Sequence, residues 1–313
     1  MSSKIKVSIC IPTLNGMETL PRLFDALEQQ TFRDFEVIVV DSSSSDGTFE
    51  YSKSKLKNDP IIILQKDFSH SQTRQYMAGL SIGDIIVFLT QDSIPDNEFW
   101  LENLVRPFKD STIACCFSRH TSKDILPRIR LEEHFNWLLA TFDYPVSIRK
   151  NIQRWKLDSN YRKGAHFNSD NSAAYRRDLL INFPFPRVEY GEDQVWAEQM
   201  LNLGYGIFFA YDSVVQHWNY NSLSDAYNRG KLEASSWSNY MDYDYTPVPL
   251  FQTIAIAFRR YLQDQRTILK HRNELSILQT SFLSVRMNLE VIAFWLGARH
   301  WKRLKGDNHA KKS

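Results

Sequence analysis

Apolar and polar positions follow two different periods along the first third of this chain. Residues 4–11, 35–40, 61–64, 85–89 and 113–117 form short β-branched or continuous apolar runs, the pattern of strands inside a sheet. Between them, residues 18–30 carry apolar side chains at helical spacing, at Leu20, Leu23, Phe24 and Leu27, and residues 49–57, 71–80 and 97–108 also read as helices. Strands alternating with helices of this length predict βαβ units: an α/β fold with a mostly parallel, twisted sheet and helices on both faces. After Ser118 the pattern loosens. It offers an amphipathic stretch at 131–142, a loop and strand at 169–178, a helix at 192–203 and short strands at 206–210 and 214–215. From Leu223 onward the chain reads as helical, apart from an aromatic loop at 240–249. No internal repeat or low-complexity linker interrupts it. The expectation is one compact domain over residues 1–222, in halves 1–118 and 119–222, with a helical extension over 223–313.

Composition sharpens this picture in three places. With 313 residues, 43% of them apolar, the chain can bury a sizeable core. A net charge of +2 argues against a general nucleic-acid binder, but the charge is uneven. Residues 250–313 hold 12 Lys/Arg against 4 Asp/Glu, a net +8 that leaves −6 for the rest. A basic C-terminal segment of this kind suits an acidic surface such as a membrane. Cys10, Cys115 and Cys116 fall in apolar, strand-like runs with no disulfide or zinc spacing, which reads as buried thiols in a reducing cytoplasm. The N-terminus leads directly into a strand, which predicts no signal peptide. No apolar run reaches the roughly 20 residues of a membrane span. The expected location is therefore cytoplasmic, free or at the cytoplasmic face of a membrane.

Five places along the chain carry candidate chemistry. Asp92 follows the apolar run 85–89, where open α/β sheets bind ligands; one carboxylate there can hold a hydrated cation when phosphate supplies other ligands. Its plainer alternative is a turn residue. Asp41 ends a strand ahead of a Ser/Gly loop and suits ribose hydroxyls or a base N–H. Asp46, in that loop, serves equally well as a helix cap. Arg74 sits near a helix start, against the dipole, and wants an anion such as Asp41 or a phosphate; the alternative is an ordinary surface salt bridge. Glu192 and Asp193 open an amphipathic helix as dipole partners, or one of them acts as a general base. His217, after a short strand, suits a metal through a ring nitrogen or a structural role.

The order of these places carries a resemblance. Pro12-Thr13-x-Asn15, Asp41-Ser-Ser-Ser-x-Asp46-Gly-Thr48, Phe68-x-His70-x-x-Thr73-Arg74, Gly83-Asp84-x-x-x-Phe88-Leu89-Thr90-Gln91-Asp92 and Gly191-Glu192-Asp193 resemble inverting family 2 glycosyltransferases of the GT-A fold. The Leu-Thr-Gln-Asp form, Asn171-Ser-Ala-x-Tyr175-Arg176-Arg177 and the late His217 resemble the bacterial rhamnosyltransferase branch. The resemblance covers roughly residues 4–230. It implies that residues 1–118 bind a nucleotide sugar and 119–222 an acceptor. Pro12, Thr13, Asn15, Asp41 and Asp46 would bind the donor, together with His70, Gln91 and Asp92, while Arg74 and Asp84 support the nucleotide site. Asp92 stands at the second acid of the family's Asp-x-Asp metal motif, with His217 near the metal, a Mg²⁺ or Mn²⁺. Asp193 is the implied base with Glu192 beside it, and Asn171 and Trp218 face the acceptor. Gln91 replaces an acidic residue of the wider family.

The implied reaction moves a sugar, L-rhamnose from dTDP-L-rhamnose on this resemblance, to a glycan or polyprenyl-linked acceptor with inversion, in cell-surface polysaccharide synthesis. A non-catalytic nucleotide-sugar binder or membrane scaffold is the rival reading, and it has no need of Asp193. The absence of Gly-x-Gly-x-x-Gly argues against a dinucleotide oxidoreductase. The apolar faces at 251–258 and 291–297, with flanking bases, suit peripheral membrane contact, packing on the domain or pairing with a second copy. The aromatic run from Trp237 to Tyr245 suits sugar stacking or core packing alike.

Overall fold

The computed structural model describes residues 6–217, 222–241, 248–271 and 276–310, with side chains as far as residue 303. Trp218 and the aromatic stretch 242–247 lie outside the described residues. Contacts divide the chain into two units, one of residues 1–123 and 131–218, the other of residues 124–130 and 219–313.

In the first unit, β1 (Val7–Thr13), α1 (Leu20–Glu28), β2 (Phe35–Asp41), α2 (Thr48–Lys55), β3 (Ile61–Ile62), α3 (His70–Leu80) and β4 (Ile85–Leu89) come in the predicted alternation. There follow β5 (Ile94–Pro95), α4 (Trp100–Val105), β6 (Ile113–Thr121) and α5 (Ile125–Thr141), whose first residues belong to the second unit. The short helices α6 (Ile152–Leu157) and α7 (Ser159–Ala165) lead to β7 (Ser172–Arg176), α8 (Arg177–Asn182), α9 (Glu192–Asn202) and β8 (Gly206–Gln216). The sheet order is β3-β2-β1-β4-β7-β6-β8-β5. β3, β2, β1 and β4 pair in parallel, as do β6 and β8, whereas β7 runs antiparallel to both β4 and β6. The expected short strands at 206–210 and 214–215 are one strand, β8, which stays paired to β6 through a register shift at Ser118/Arg119. β5 was not foreseen. It holds the sheet's edge beside β8, the place a sheet tolerates Pro95.

Both faces of the sheet are covered, which explains the continuous apolar run of β4. Val87 and Leu89 pack with Val7, Ile9, Leu23 and Trp100 on one face, while Ile86 and Phe88 pack with Tyr175, Phe117 and Trp196 on the other. Cys10, Cys115 and Cys116 are buried free thiols, and burial pushes Cys10 up to about 12.

The second unit is helical: α10 (Leu223–Tyr240), α11 (Leu250–Lys270) and α12 (Ile277–Ala310). α10 and α12 meet backbone to backbone, because a Cβ on Gly230 would overlap the Phe294 carbonyl and one on Gly297 the Tyr227 carbonyl. Inside the unit, Asp264 of α11 accepts hydrogen bonds from Arg130 at 2.8 Å, Ser284 at 2.6 Å and Asn288 at 3.0 Å. Among the described residues no helix is long and apolar enough to cross a membrane.

Candidate active site

Strand ends from across the sheet meet at one edge. β1, β2 and β4 run parallel and finish there with Thr13, Asp41 and Leu89. β7 is antiparallel to β4, with Ser172 opposite Leu89, so it starts where they end. That reversal sets Asp170 and Asn171 beside the turn after β4, and the Thr90 N–H donates to the Asn171 carbonyl at 3.2 Å. β8 ends on the same side and delivers His217.

The part built by β1 and β2 is a polar lattice. Asp41 is 1% exposed. Its carboxylate accepts from Thr13 Oγ1 at 2.8 Å, from Ser44 N at 2.8 Å and from Ser44 Oγ at 2.6 Å. Asn15 adopts a positive φ of 47° and locks the loop after β2 to the loop after β1. Its N–H donates to Ser44 Oγ at 2.8 Å and its Oδ1 accepts from Ser45 N at 2.9 Å. Asp46 is exposed and accepts from Met17 N at 3.0 Å and Thr48 Oγ1 at 2.6 Å. Slight burial raises its carboxyl, but these hydrogen bonds outweigh it and hold Asp46 below the usual carboxylate range. Pro12 lies within β1, opposite Val40. Gln91 explains its own departure from the family pattern. Its amide accepts from Leu14 N at 2.9 Å and donates to Leu14 O at 3.0 Å, a reciprocal pairing that a carboxylate, lacking a donor, is unable to make.

At the centre of the edge, Asp92 Oδ1 lies 3.6 Å from His217 Nε2, and His217 Nδ1 lies 3.3 Å from Asn171 Nδ2. Buried His120 packs edge-on against His217, with ring centroids 5.7 Å apart. Burial, with His217 and His134 nearby, drives His120 well below the usual histidine range and keeps it neutral. Among the described residues no three His, Cys, Asp or Glu side chains gather to hold a metal ion. Asp92 and His217 nonetheless offer a carboxylate oxygen and a ring nitrogen to an ion whose remaining ligands would be phosphate and water, since Mg²⁺ in such sites is bound through one or two carboxylates together with substrate phosphates.

The third part is a buried charge cluster. Arg74, on α3, is 6% exposed. Its Nε lies 3.3 Å from Asp170 Oδ2, and its Nη1 donates to Glu192 Oε1 in a short contact. Burial alone would depress this guanidinium, but Asp170, Glu192 and Asp193 reverse the balance and hold it above its ordinary value. Tyr175 OH donates to Asp170 Oδ1. The Asp170 N–H donates to Asp193 Oδ2 at 3.1 Å, and the Gln194 N–H to Asp193 Oδ1 at 2.8 Å. Gly191, at φ 77°, makes the turn that starts α9 and sets Glu192 and Asp193 in its first turn. Burial pushes Asp170 up to about 6, helped by Glu192 and opposed by Arg74 and the Tyr175 hydroxyl. Asp193 is driven well above the usual carboxylate range, by burial first and then by Asp170 and Glu192.

Several expectations change at this level. Arg74 is neither a surface ion pair nor a partner of Asp41; its anions come from β7's lead-in and from α9. Asp84 is set apart from the other residues expected at the nucleotide site. It stands at the opposite end of β4 from Asp92, where its carboxylate accepts from Lys6 N at 3.1 Å, because parallel strands put their starts and ends at different edges. His70 opens α3, exposed, with its ring edge-on to Phe68. Glu192 is buried against Arg74, whereas Asp193 is only half-buried. Trp218 lies outside the described residues. Sequence reasoning missed Asp170 and His120, and held Tyr175 and Ser44 only as motif letters without a role. The polar run Asn168-Ser169-Asp170-Asn171 ahead of a strand was the available signal for Asp170, but its force depends on β7 running antiparallel.

Residues 8–183, more than half of the chain, match Glycosyl transferase family 2. The chain belongs to this family. This family 2 chain is 33% identical over 219 residues to the O-antigen chain rhamnosyltransferase RfbN of Salmonella typhimurium, covering 68% of this chain and 66% of RfbN. It is 30% identical over 216 residues to the O-antigen chain rhamnosyltransferase WbaN of Salmonella anatum, covering 67% of this chain and 65% of WbaN. These matches span just under two thirds of the relatives' own lengths. The fold is similar to that of the mannosyltransferase PcManGT from Pyrobaculum calidifontis, solved in complex with GDP-Man and Mn²⁺. That likeness has a TM-score of 0.61 at 16% identity and covers 95% of this chain and 87% of the other. The family 2 chain therefore has the GT-A fold, a mixed sheet flanked by helices, followed by helical segments α10–α12.

Proposed function

We propose that this chain transfers a sugar from a nucleoside-diphosphate donor to an acceptor hydroxyl, with inversion at the anomeric carbon. The observation that carries the reading is Asp193, a half-buried carboxylate with a raised pKa, joined through Asp170 and Asn171 to the Asp92–His217 pair. In this reading the Thr13, Asn15 and Asp41 lattice receives the nucleoside, and Asp92 and His217 would hold a Mg²⁺ or Mn²⁺. When bound, that ion supplies positive charge against the diphosphate leaving group.

Asp193 takes the proton of the acceptor hydroxyl while its oxygen attacks the anomeric carbon and the bond to the diphosphate breaks. A base is most effective when its pKa lies near the working pH, and burial with two neighbouring acids moves Asp193 that way. Glu192 and Arg74 hold the cluster in place. The relatives' names, O-antigen chain rhamnosyltransferases, favour a rhamnosyl donor and an acceptor in surface polysaccharide assembly; the reading takes dTDP-L-rhamnose as that donor and a glycan or polyprenyl-linked acceptor. The non-catalytic binder loses ground, because it gives no reason to concentrate carboxylates around Asp193.

A screen of nucleotide sugars by thermal unfolding tests the donor. With Mg²⁺ present, dTDP-L-rhamnose at about 100 times its Kd should stabilise the fold by about 2.7 kcal/mol, with UDP-glucose and GDP-mannose far weaker. Equal shifts from all three, or none, would count against the rhamnosyl assignment.

A further inference from the structure

The helical unit carries an apolar surface that neither its own packing nor the transfer reaction uses. α11 buries Thr253, Ala257, Asp264 and Ile268. On another side it turns out Phe251, Ile254, Phe258, Leu262 and Leu269, spaced three, four, four and seven residues apart, with Phe251 69% and Phe258 61% exposed. α12 repeats the device with Leu278, Phe282, Val285, Leu289 and Leu296, where Leu278 is 84% and Phe282 75% exposed. Five large apolar side chains in line on the open side of a helix are a stripe, not scattered surface residues.

Charge says what covers it. Within Leu250–Lys270 the bases are Arg259, Arg260, Arg266 and Lys270, all exposed, and the single acid is Asp264. Asp264 is turned inward onto Arg130, Ser284 and Asn288, so the outer surface of α11 is apolar and cationic with no carboxylate. In α12, Glu290 is paired with Arg286 at 3.4 Å, and Arg299 and Arg303 stand exposed towards its far end. A second copy of this face would set like charges against each other. An anionic bilayer supplies both hydrocarbon for the stripe and negative headgroups for the flank. No helix among the described residues is long and apolar enough to span, so the contact is one that lies in the plane of the surface.

We infer that α11, with α12 beside it, is a docking surface for an anionic lipid bilayer. The inference stands independently of which sugar is transferred. Its test is co-sedimentation of the full chain with phosphatidylcholine vesicles, alone or with about one quarter phosphatidylglycerol. Two variants are compared: Phe251→Ser with Phe258→Ser, and Arg259→Glu with Arg266→Glu and Lys270→Glu.

The wild-type chain should bind the anionic vesicles, far less the neutral ones, and should release in high salt. The charge-reversed variant should lose binding by on the order of a hundredfold and the Ser variant by roughly tenfold or more, both keeping the wild-type Tm. Activity on a water-soluble acceptor should be unchanged in both, which separates failure of docking from failure of the transfer reading. Equal binding to both vesicle types, no binding to either, or variants that bind as the wild type does would overturn the inference. So would a wild-type dimer that the Ser variant dissolves, since the face would then belong to a second copy.

Discussion

Arg74 brings one positive charge into a cluster of three carboxylates, Asp170, Glu192 and Asp193, and that imbalance governs what each residue there does. Removing it in Arg74→Ala leaves buried acids without a counter-charge, a change that costs about 3–5 kcal/mol in comparable sites. The loss depends on pH in a defined direction. Unfolded, an Asp titrates near 3.9, while Asp170 in the fold is pushed up to about 6, so the folded state keeps a proton that the unfolded chain has released. The Asp170 contribution to stability therefore falls as pH rises through that window and then levels off. Without Arg74 the folded value moves higher and the fall continues, so the Tm gap between wild type and Arg74→Ala should be wider at pH 8 than at pH 5. A constant gap would show that the cluster is not coupled in this way. The same coupling sets the activity profile. The acid limb of kcat/KM should lie well above the ordinary aspartate range, and Asp170→Asn should move it to lower pH by removing the charge that helps raise Asp193. Asp41, Asp92 and Asp193 were legible as single letters because each follows a strand or opens a helix. The reason Gln91 is a glutamine was not, since its partner is the backbone of Leu14, far away in sequence.

At the scale of elements, β1, α1 and β4 follow from periodicity alone, because each is a complete amphipathic or buried segment, whereas α2 buries only Thr48 and Ser52 and β3 is two residues long. β7 marks where that reasoning stops. A five-residue strand, Ser172–Arg176, gives no sign of its direction, yet its antiparallel course is what brings Asp170 and Asn171 to the working edge. The separation of Asp84 and Asp92, by contrast, follows from the strand over 85–89 that lies between them. In the helical unit, Gly230 and Gly297 let α10 and α12 approach backbone to backbone. A side chain at either position has no space to enter. Gly297→Leu should destabilise by about 3 kcal/mol or more, read as a lower Tm or denaturant midpoint. A variant with wild-type stability would mean that the two helices separate freely.

Across the whole molecule, separate segments of sequence contribute to one sheet edge: the β1 and β2 loops, the turn after β4, the lead-in to β7, the start of α9 and the residue after β8. The Thr13–Asn15–Asp41 lattice, Asp92, the raised-pKa carboxylate of Asp193 and finally His217 thus follow one another along one chain, which is why their order resembled a family before any coordinate did. The central claim is that Asp193 is the base of a sugar transfer. The most direct measurement is the single-turnover transfer rate of Asp193→Asn against wild type, at saturating donor, in the presence of Mg²⁺. The account predicts a loss on the order of a thousandfold with donor affinity changed less than a few-fold. A rate within a few-fold of wild type at the same donor occupancy would contradict it.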